Sequence, residues 1–226
     1  MNLDAHIDIP LRDGGSMRGW LARPAVLPAP AIVLVHEWFG LNTQIIETAR
    51  RLAEEGFVVL CADLYHGAVA SDVEGARTLI QTIRDDEALA TLAACAAWLH
   101  ASPDCNGKVA SMGYCLGGGW ALNMAIAGSV DAAVVFYGNV VHTDAEIAQI
   151  HCPLLGHFGE RDEVFTPPTV HVLAGQLQAA DVADAELHWY PAGHAFANPY
   201  RPLYDAPSAA LAWQRTLDFL RRTCAA

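Results

Sequence analysis

The sequence predicts an α/β protein: a mostly parallel, doubly wound sheet with helices on both faces, built as one domain over residues 1–226. Three observations carry this expectation. Short apolar runs alternate along the chain with longer segments of helical periodicity, the pattern of parallel strands joined by crossover helices. Hydrophobic residues make up 53% of the chain, which suits strands covered on both faces. One strand-like run ends in Gly113-Tyr114-Cys115-Leu116-Gly117 and gives way directly to a helix-like segment, so that a nucleophilic side chain stands between two glycines at the turn.

Taken in order, Asp4 to Pro10 and Met17 to Ala22 flank Asp13-Gly14-Gly15 and read as a hairpin. Pro24, Pro28 and Pro30 make a short rigid link, and Ala31 to His36 is a buried strand. Thr43 to Glu55 is helix-like, with Asn42 or Thr43 as N-cap and Gly56 as terminator. Phe57 to Ala62 is a strand and Asp63 to Ala70 a loop; Ser71 to Ile83 and Asp85 to His100 carry helical periodicity. Lys108 to Met112 is the strand entering the glycine turn, and Leu116 to Ala127 is the helix leaving it. Ala132 to Tyr137 and Pro153 to Gly159 are buried strands, followed by a helix over Pro167 to Ala180, a strand over Leu187 to Tyr190 and a C-terminal helix over Ala206 to Arg222. There is no repeat, low-complexity segment or break in composition.

The bulk properties exclude some partners. Thirteen basic residues against 25 acidic ones give a formal charge of −12, which argues against nucleic acid or an anionic membrane as partner. A binding site for an anion must therefore be made locally. Runs such as Ala29 to Val35 are too short to cross a bilayer, and the first residues lack a basic, then apolar, leader, so the expectation is a cytoplasmic protein. The six cysteines are scattered, with neither C-x-x-C nor zinc spacing, and read as small buried hydrophobes in a reducing compartment. No metal or organic cofactor is expected, and nothing sets the assembly beyond a monomer or small homo-oligomer.

The glycine turn has the form of the G-x-nucleophile-x-G elbow of the α/β-hydrolase fold, with cysteine in place of serine. Small residues at such a turn often serve packing alone, but the rest of the chain fits a catalytic reading of Cys115. Pro153 to Gly159 runs into Glu160-Arg161-Asp162, and Leu187 to Tyr190 runs into Pro191-Ala192-Gly193-His194. The order nucleophile, acid, histidine is that of the α/β-hydrolases. His194 is the candidate base among ten histidines, and Asp162 the candidate orienting acid, with Glu160 and Glu163 as rivals in the same loop. Glu37 directly follows the strand Ala31 to His36, where hydrolases place the loop that binds the oxyanion. His36-Glu37 does not begin a zinc-binding H-E-x-x-H, because position 40 is glycine.

Five segments together resemble the dienelactone hydrolase family: His36-Glu37-Trp38-Phe39-Gly40-Leu41-Asn42, Ala62-Asp63-Leu64-Tyr65, Gly113 to Gly119, Gly159-Glu160-Arg161-Asp162 and Gly193-His194-Ala195-Phe196. The resemblance runs over nearly the whole chain. It implies a Cys–His–Asp triad of Cys115, His194 and Asp162, a glutamate beside the thiol at Glu37, and an oxyanion hole from the amides of Leu116 and Trp38. It also implies a reaction in which a neutral resting thiol is bonded to Glu37 and surrenders its proton when a small ester or lactone binds. The thiolate then pairs with the His194 imidazolium, attacks the carbonyl and leaves an acyl-enzyme that water hydrolyses.

One departure concerns the substrate. Family members acting on a small anionic lactone hold its carboxylate with two arginines, one of them four residues after the histidine, where this chain has Asn198. Arg201 is the nearest substitute, and Arg77, then Arg84, are candidates for the other. The expected substrate-binding set is Arg77, Arg201, Phe39, Tyr137, Phe196 and Asn198. Competing readings are a cysteine-dependent esterase or lactonase for a neutral or larger substrate, a non-catalytic binding protein of the same fold, and a thiol redox protein in which Cys152 approaches Cys115.

Overall fold

The run Ala31-Ile32-Val33-Leu34-Val35 has no polar side and can bury itself only within a sheet covered on both faces. The structure, a computed structural model that describes residues 4–11 and 14–225, places it so. Eight strands form one sheet: β1 (Ala5–Pro10), β2 (Ser16–Ala22), β3 (Ala29–Val35), β4 (Val58–Ala62), β5 (Cys105–Tyr114), β6 (Ala132–Phe136), β7 (Leu154–Gly159) and β8 (Ala185–Tyr190). Their order is β1-β2-β4-β3-β5-β6-β7-β8. The first two strands are antiparallel additions to one edge, and the pairs from β4 to β8 are all parallel.

Seven helices complete the described chain: α1 (Thr43–Glu54), α2 (Val73–Ile80), α3 (Asp85–Ala101), α4 (Leu116–Ile126), α5 (Asp144–Ile147), α6 (Pro167–Ala179) and α7 (Ala206–Thr223). Alternation along β3 divides the interior. Ala31, Val33 and Val35 pack with Leu92 and Leu99 of α3, Leu122 of α4 and Leu173 of α6. Ile32 and Leu34 pack on the other face with Ile45 and Leu52 of α1 and with Ala212 and Leu220 of α7. No helix among the described residues is long and apolar enough to cross a membrane.

The elements differ from the sequence reading in a few places, each with a local cause. β3 starts at Ala29, inside the expected proline link. Pro30 has no N–H, and the register shift between Ala29 and Ala31 accommodates it. Asn42, not Thr43, caps α1, its Oδ1 accepting from the Ile45 amide at 3.4 Å. α2 is shorter than Ser71 to Ile83 because Asp72 caps it, accepting from the Gly75 amide at 2.8 Å. α5 was not expected; four residues carry no periodicity, and a capping box between Thr143 and Glu146 forms it. Asp13 of the expected hairpin turn lies outside the described residues. The C-terminal ends of β3, β5, β7 and β8 share one edge of the sheet, where an open α/β sheet binds its ligands.

Candidate active site

Cys115 occupies the N-cap position of α4 with φ +52° and ψ −113°, a conformation unfavourable for a residue with a Cβ. Its neighbours hold it there. A Cβ on Gly113 would stand 2.1 Å from the Gly117 carbonyl oxygen, and one on Gly117 would stand 2.2 Å from that of Val35. Only glycine lets the elbow close on itself and on β3. The Cys115 amide donates to the Phe136 carbonyl at 2.9 Å, fixing the turn to β6.

The loop after β8 brings His194 over this turn, with Nε2 3.2 Å from Cys115 Sγ. The loop after β7 brings Asp162, whose Oδ2 lies 2.8 Å from His194 Nδ1. Its other oxygen accepts from the amides of Val164 at 2.8 Å and Phe165 at 2.9 Å, so the buried carboxylate is fully oriented. With a carboxylate against Nδ1, the proton of a neutral ring belongs there, and Nε2 is left to accept from the thiol. Glu160 and Glu163, the rivals of Asp162, point to solvent. The imidazole is backed by Tyr137 and Phe165, whose ring centroids lie 5.3 and 5.6 Å from its own.

Beneath the loops, His157 of β7 is wholly buried. Thr216 donates to the Ala212 carbonyl and so accepts from His157 Nε2 at 2.9 Å, leaving His157 Nδ1 to accept from the Tyr190 hydroxyl at 2.8 Å. Burial holds this histidine well below its ordinary pKa, consistent with the neutral tautomer that these bonds require. The chain of bonds ties β7, β8 and α7 together under the two loops that supply Asp162 and His194.

Glu37 is buried at the end of β3. Oε2 accepts from Asn198 Nδ2 at 2.7 Å, while Oε1 has no hydrogen-bond partner. Burial raises its pKa; the Asn198 hydrogen bond and the charges of Arg201 and His194 oppose the rise without cancelling it. Cys115 is pushed up to about 12, by burial first and by the Glu37 carboxylate second, with the Leu116 amide and Arg201 pulling the other way. The site therefore holds a neutral thiol directed at His194 and not, as the family resemblance implied for the resting state, at Glu37, whose Oε1 is unused.

The expected substrate-binding residues separate in the structure. Arg201 is at the site: its guanidinium lies 3.9 Å above the Phe39 ring and its charge acts on both Glu37 and Cys115. Asn198 is turned to Glu37; its Oδ1 accepts from the Tyr200 amide at 3.0 Å, which leaves Nδ2 for the carboxylate. Arg77 is instead a solvated residue of α2 paired with Glu74 at 3.7 Å, its side chain 66% exposed, and Arg84 pairs with Asp86 and Glu87. Neither joins the Cys115 cluster. Phe196 and Tyr137 are fully buried and pack ring against ring, so they support the His194 loop instead of lining open space. Cys152 precedes β7 at the opposite edge of the sheet from Cys115, which removes it as a resolving thiol.

Two residues in quoted motifs received no role from the sequence. Tyr65 donates from its hydroxyl to the Trp38 carbonyl at 3.3 Å, and His36 is buried between Glu37 and Leu64. Among the described residues no group of three or more His, Cys, Asp or Glu side chains is placed to hold a metal.

A nucleophile elbow on a mostly parallel sheet, followed in the chain by an acid and a histidine that meet it in space, defines an α/β-hydrolase. More narrowly, the dienelactone hydrolase family model matches residues 17–224, and the chain belongs to that family. It is 33% identical over 225 residues to a carboxymethylenebutenolidase of Pseudomonas putida, with 95% of this chain and 94% of the relative covered. It is 30% identical over 224 residues to carboxymethylenebutenolidase 1 of Cupriavidus pinatubonensis, with 95% of each covered. Among solved structures, a dienelactone hydrolase-like promiscuous phosphotriesterase from metagenomic libraries superposes with a TM-score of 0.85 at 27% identity, covering 97% of this chain and 98% of that one. The protein is a hydrolase acting on esters or lactones.

Proposed function

We propose that this hydrolase cleaves a small carboxylic ester or lactone through a thioester acyl-enzyme on Cys115, with His194 and Asp162 completing a triad. The observation that carries this reading is the unbroken chain from Cys115 Sγ to His194 Nε2 at 3.2 Å and from His194 Nδ1 to Asp162 Oδ2 at 2.8 Å. When substrate binds, the thiol turns from His194 to the unpartnered Oε1 of Glu37 and gives up its proton there, and the thiolate adds to the substrate carbonyl. The oxyanion is met by the amides of Leu116, at the helix N-terminus, and Trp38. Collapse breaks the carbon–oxygen bond, and the leaving alkoxide takes a proton from His194 as the ring receives the one held by Glu37, which returns Glu37 to its carboxylate and His194 to its neutral form. His194 then deprotonates a water, which adds to the thioester carbonyl; the sulfur leaves with a proton and the free acid departs. For a lactone the released alcohol and acid are two ends of one product.

The Asn198–Glu37 hydrogen bond favours a neutral ester or lactone over a carboxylate-bearing one. The position that carries an arginine in the anion-specific relatives is here a neutral amide committed to Glu37, and Arg77 is in solvent, so among the described residues Arg201 is the one guanidinium in contact with the site. Rapid mixing with p-nitrophenyl acetate, followed by acid quench and mass spectrometry of the peptide bearing Cys115, tests the reading. An acetyl group on Cys115 that turns over with the burst phase is expected. Turnover with no acyl group on that cysteine, or with one on another residue, overturns it.

A further inference from the structure

We infer that His36 is a positioning residue for the oxyanion hole: it fixes the plane of the Glu37–Trp38 peptide so that the Trp38 amide points at the reacting carbonyl. The inference rests on the hydrolytic reading above.

His36 closes β3 and is completely buried, so each ring nitrogen needs a partner. The Leu64 amide donates to Nε2 at 3.1 Å, so Nε2 carries no proton. The proton of the neutral ring is on Nδ1, which donates to the Glu37 carbonyl oxygen at 2.6 Å. That oxygen accepts a second bond from the Gly40 amide at 3.1 Å. Two donors on one carbonyl leave its peptide little freedom. Because a trans peptide is planar, the Trp38 N–H must point away from the Glu37 C=O. His36 and Gly40 hold the carbonyl on one side, so the N–H is delivered to the other, the side proposed for the reacting carbonyl.

The clamp is supported from a second strand. Asp63, at the end of β4, accepts from the amides of Tyr65 at 3.0 Å and Gly67 at 2.6 Å, which shapes the turn that offers the Leu64 N–H to His36. The Tyr65 hydroxyl reaches the Trp38 carbonyl at 3.3 Å, gripping the next peptide, and the Ala70 amide donates to the Phe39 carbonyl at 3.0 Å. Gly40 is in the left-handed region at φ +90°, and a Cβ there would stand 2.6 Å from the Ala68 carbonyl oxygen, so the two loops touch backbone to backbone. The loops after β3 and β4 thus form one unit, and His36 is its interior link.

The test uses an isosteric pair. In His36→Asn the amide nitrogen takes the place of Nδ1 and can still donate to Glu37; in His36→Leu the same shape cannot. Both lose the acceptor for Leu64, so their difference reads the Glu37 bond alone. An aryl trifluoromethyl ketone probes the hole: the thiolate adds to its carbonyl carbon, the carbonyl electron pair moves to oxygen, and the adduct places that oxyanion on the amides. Iodoacetamide probes the thiol without the hole. His36→Leu is expected to bind the ketone about tenfold to a hundredfold more weakly than wild type and to lose kcat in step at little change in KM, below the loss for a missing donor. His36→Asn should recover most of that difference, and alkylation of Cys115 should proceed at one rate in all three. Equal ketone affinity in all three, or ketone binding and alkylation falling together, overturns the inference while the nucleophile reading stands. A wild type in which neither reagent reaches Cys115 takes down both. Selective 15N labelling of tryptophan gives a check that needs no variant: the Trp38 amide proton must move downfield on ketone binding, and an unmoved resonance overturns the clamp.

Discussion

Replacing Asn198 by leucine removes one hydrogen bond from a carboxyl group that has no other. In the native site Asn198 Nδ2 donates to Glu37 Oε2 at 2.7 Å, both residues are buried, and Oε1 is already without a partner. A hydrogen bond to a charged group is worth about 1.5–3 kcal/mol and one to a neutral group about 1, so its loss disfavours the carboxylate against the carboxyl form by about 0.5–2 kcal/mol, some twofold to thirtyfold in population. The sign follows from the donor's effect: it favours the carboxylate and holds the Glu37 pKa down against burial. Without it the pKa rises further. In the proposed mechanism Glu37 must be ionised to receive the thiol proton, so activity lies above its pKa. The acid limb of kcat/KM on p-nitrophenyl acetate should therefore move to higher pH, with the alkaline plateau retained. At a pH on the native acid limb the variant should be about twofold to thirtyfold slower. An unmoved limb would show that Glu37 does not accept the proton, and a limb displaced to lower pH would show that the donor acts on some other group.

Three further outcomes follow from the same site. Cys115→Ala should abolish turnover with the fold retained, and Cys115→Ser should leave traces at most, as measured on any ester the native enzyme cleaves with circular dichroism as the folding control. Glu37→Gln should lower the rate by about a hundredfold or more and also change stability with pH. Burial raises the folded pKa of Glu37 above its unfolded value, so stability is full below the unfolded value and is lost as pH rises through the folded one. Glutamine does not ionise, so the variant should gain on wild type by a few degrees in Tm at pH 8 relative to pH 4; a difference independent of pH would contradict the raised pKa. Arg201→Ala should raise KM for a carboxylate-bearing lactone by about tenfold or more and spare a neutral ester of similar size, whereas Arg77→Ala should change neither.

The meeting of Cys115, His194 and Asp162 was readable in the sequence because its logic is local. The elbow needs glycine on both sides of Cys115 for a steric reason that lies within five residues. The acid and the histidine each follow a strand, and strands are visible as apolar runs. Parallel strands then bring their C-terminal ends to one edge without further instruction. What was not readable depends on long-range meetings. Asn198 and Glu37 are 161 positions apart, and only the folded chain shows that the amide serves the carboxylate instead of a ligand. Arg77 was chosen by its place after Tyr65, but one turn of helix decides between pocket and solvent, and its partner is Glu74 on its own helix. Phe196 adjoins the histidine motif, yet backbone direction at Ala195, with φ +59°, sends the ring inward. His36 carried a signal that went unused: a histidine ending an otherwise wholly apolar strand must find partners for both nitrogens, and those partners are necessarily the loops that begin there.

The charge accounting at Cys115 explains why the site places two proton acceptors around one thiol. A thiol pushed up to about 12 is neutral at rest, and ionising it in place at pH 7 would cost about 7 kcal/mol. Transfer to His194 alone would make two ions from two neutral groups in a buried site. Transfer to Glu37 is different in kind. The carboxylate becomes neutral as the sulfur becomes charged, so the Cys115–Glu37 pair carries one negative charge before and after, and the desolvation already imposed on Glu37 is passed on instead of added to. Burial raises the pKa of the donor and of the acceptor together, which preserves this exchange, whereas it would oppose any route that creates new charge. The thiolate then lies 3.2 Å from an imidazole oriented by Asp162, which is placed to pass the proton held by Glu37 to the leaving alkoxide. On this reasoning Glu37 controls when the nucleophile exists, and His194 with Asp162 controls what happens to it afterwards. In the proposed mechanism the separation also accounts for a resting enzyme whose half-buried cysteine, as a neutral thiol, is a poor target for oxidants.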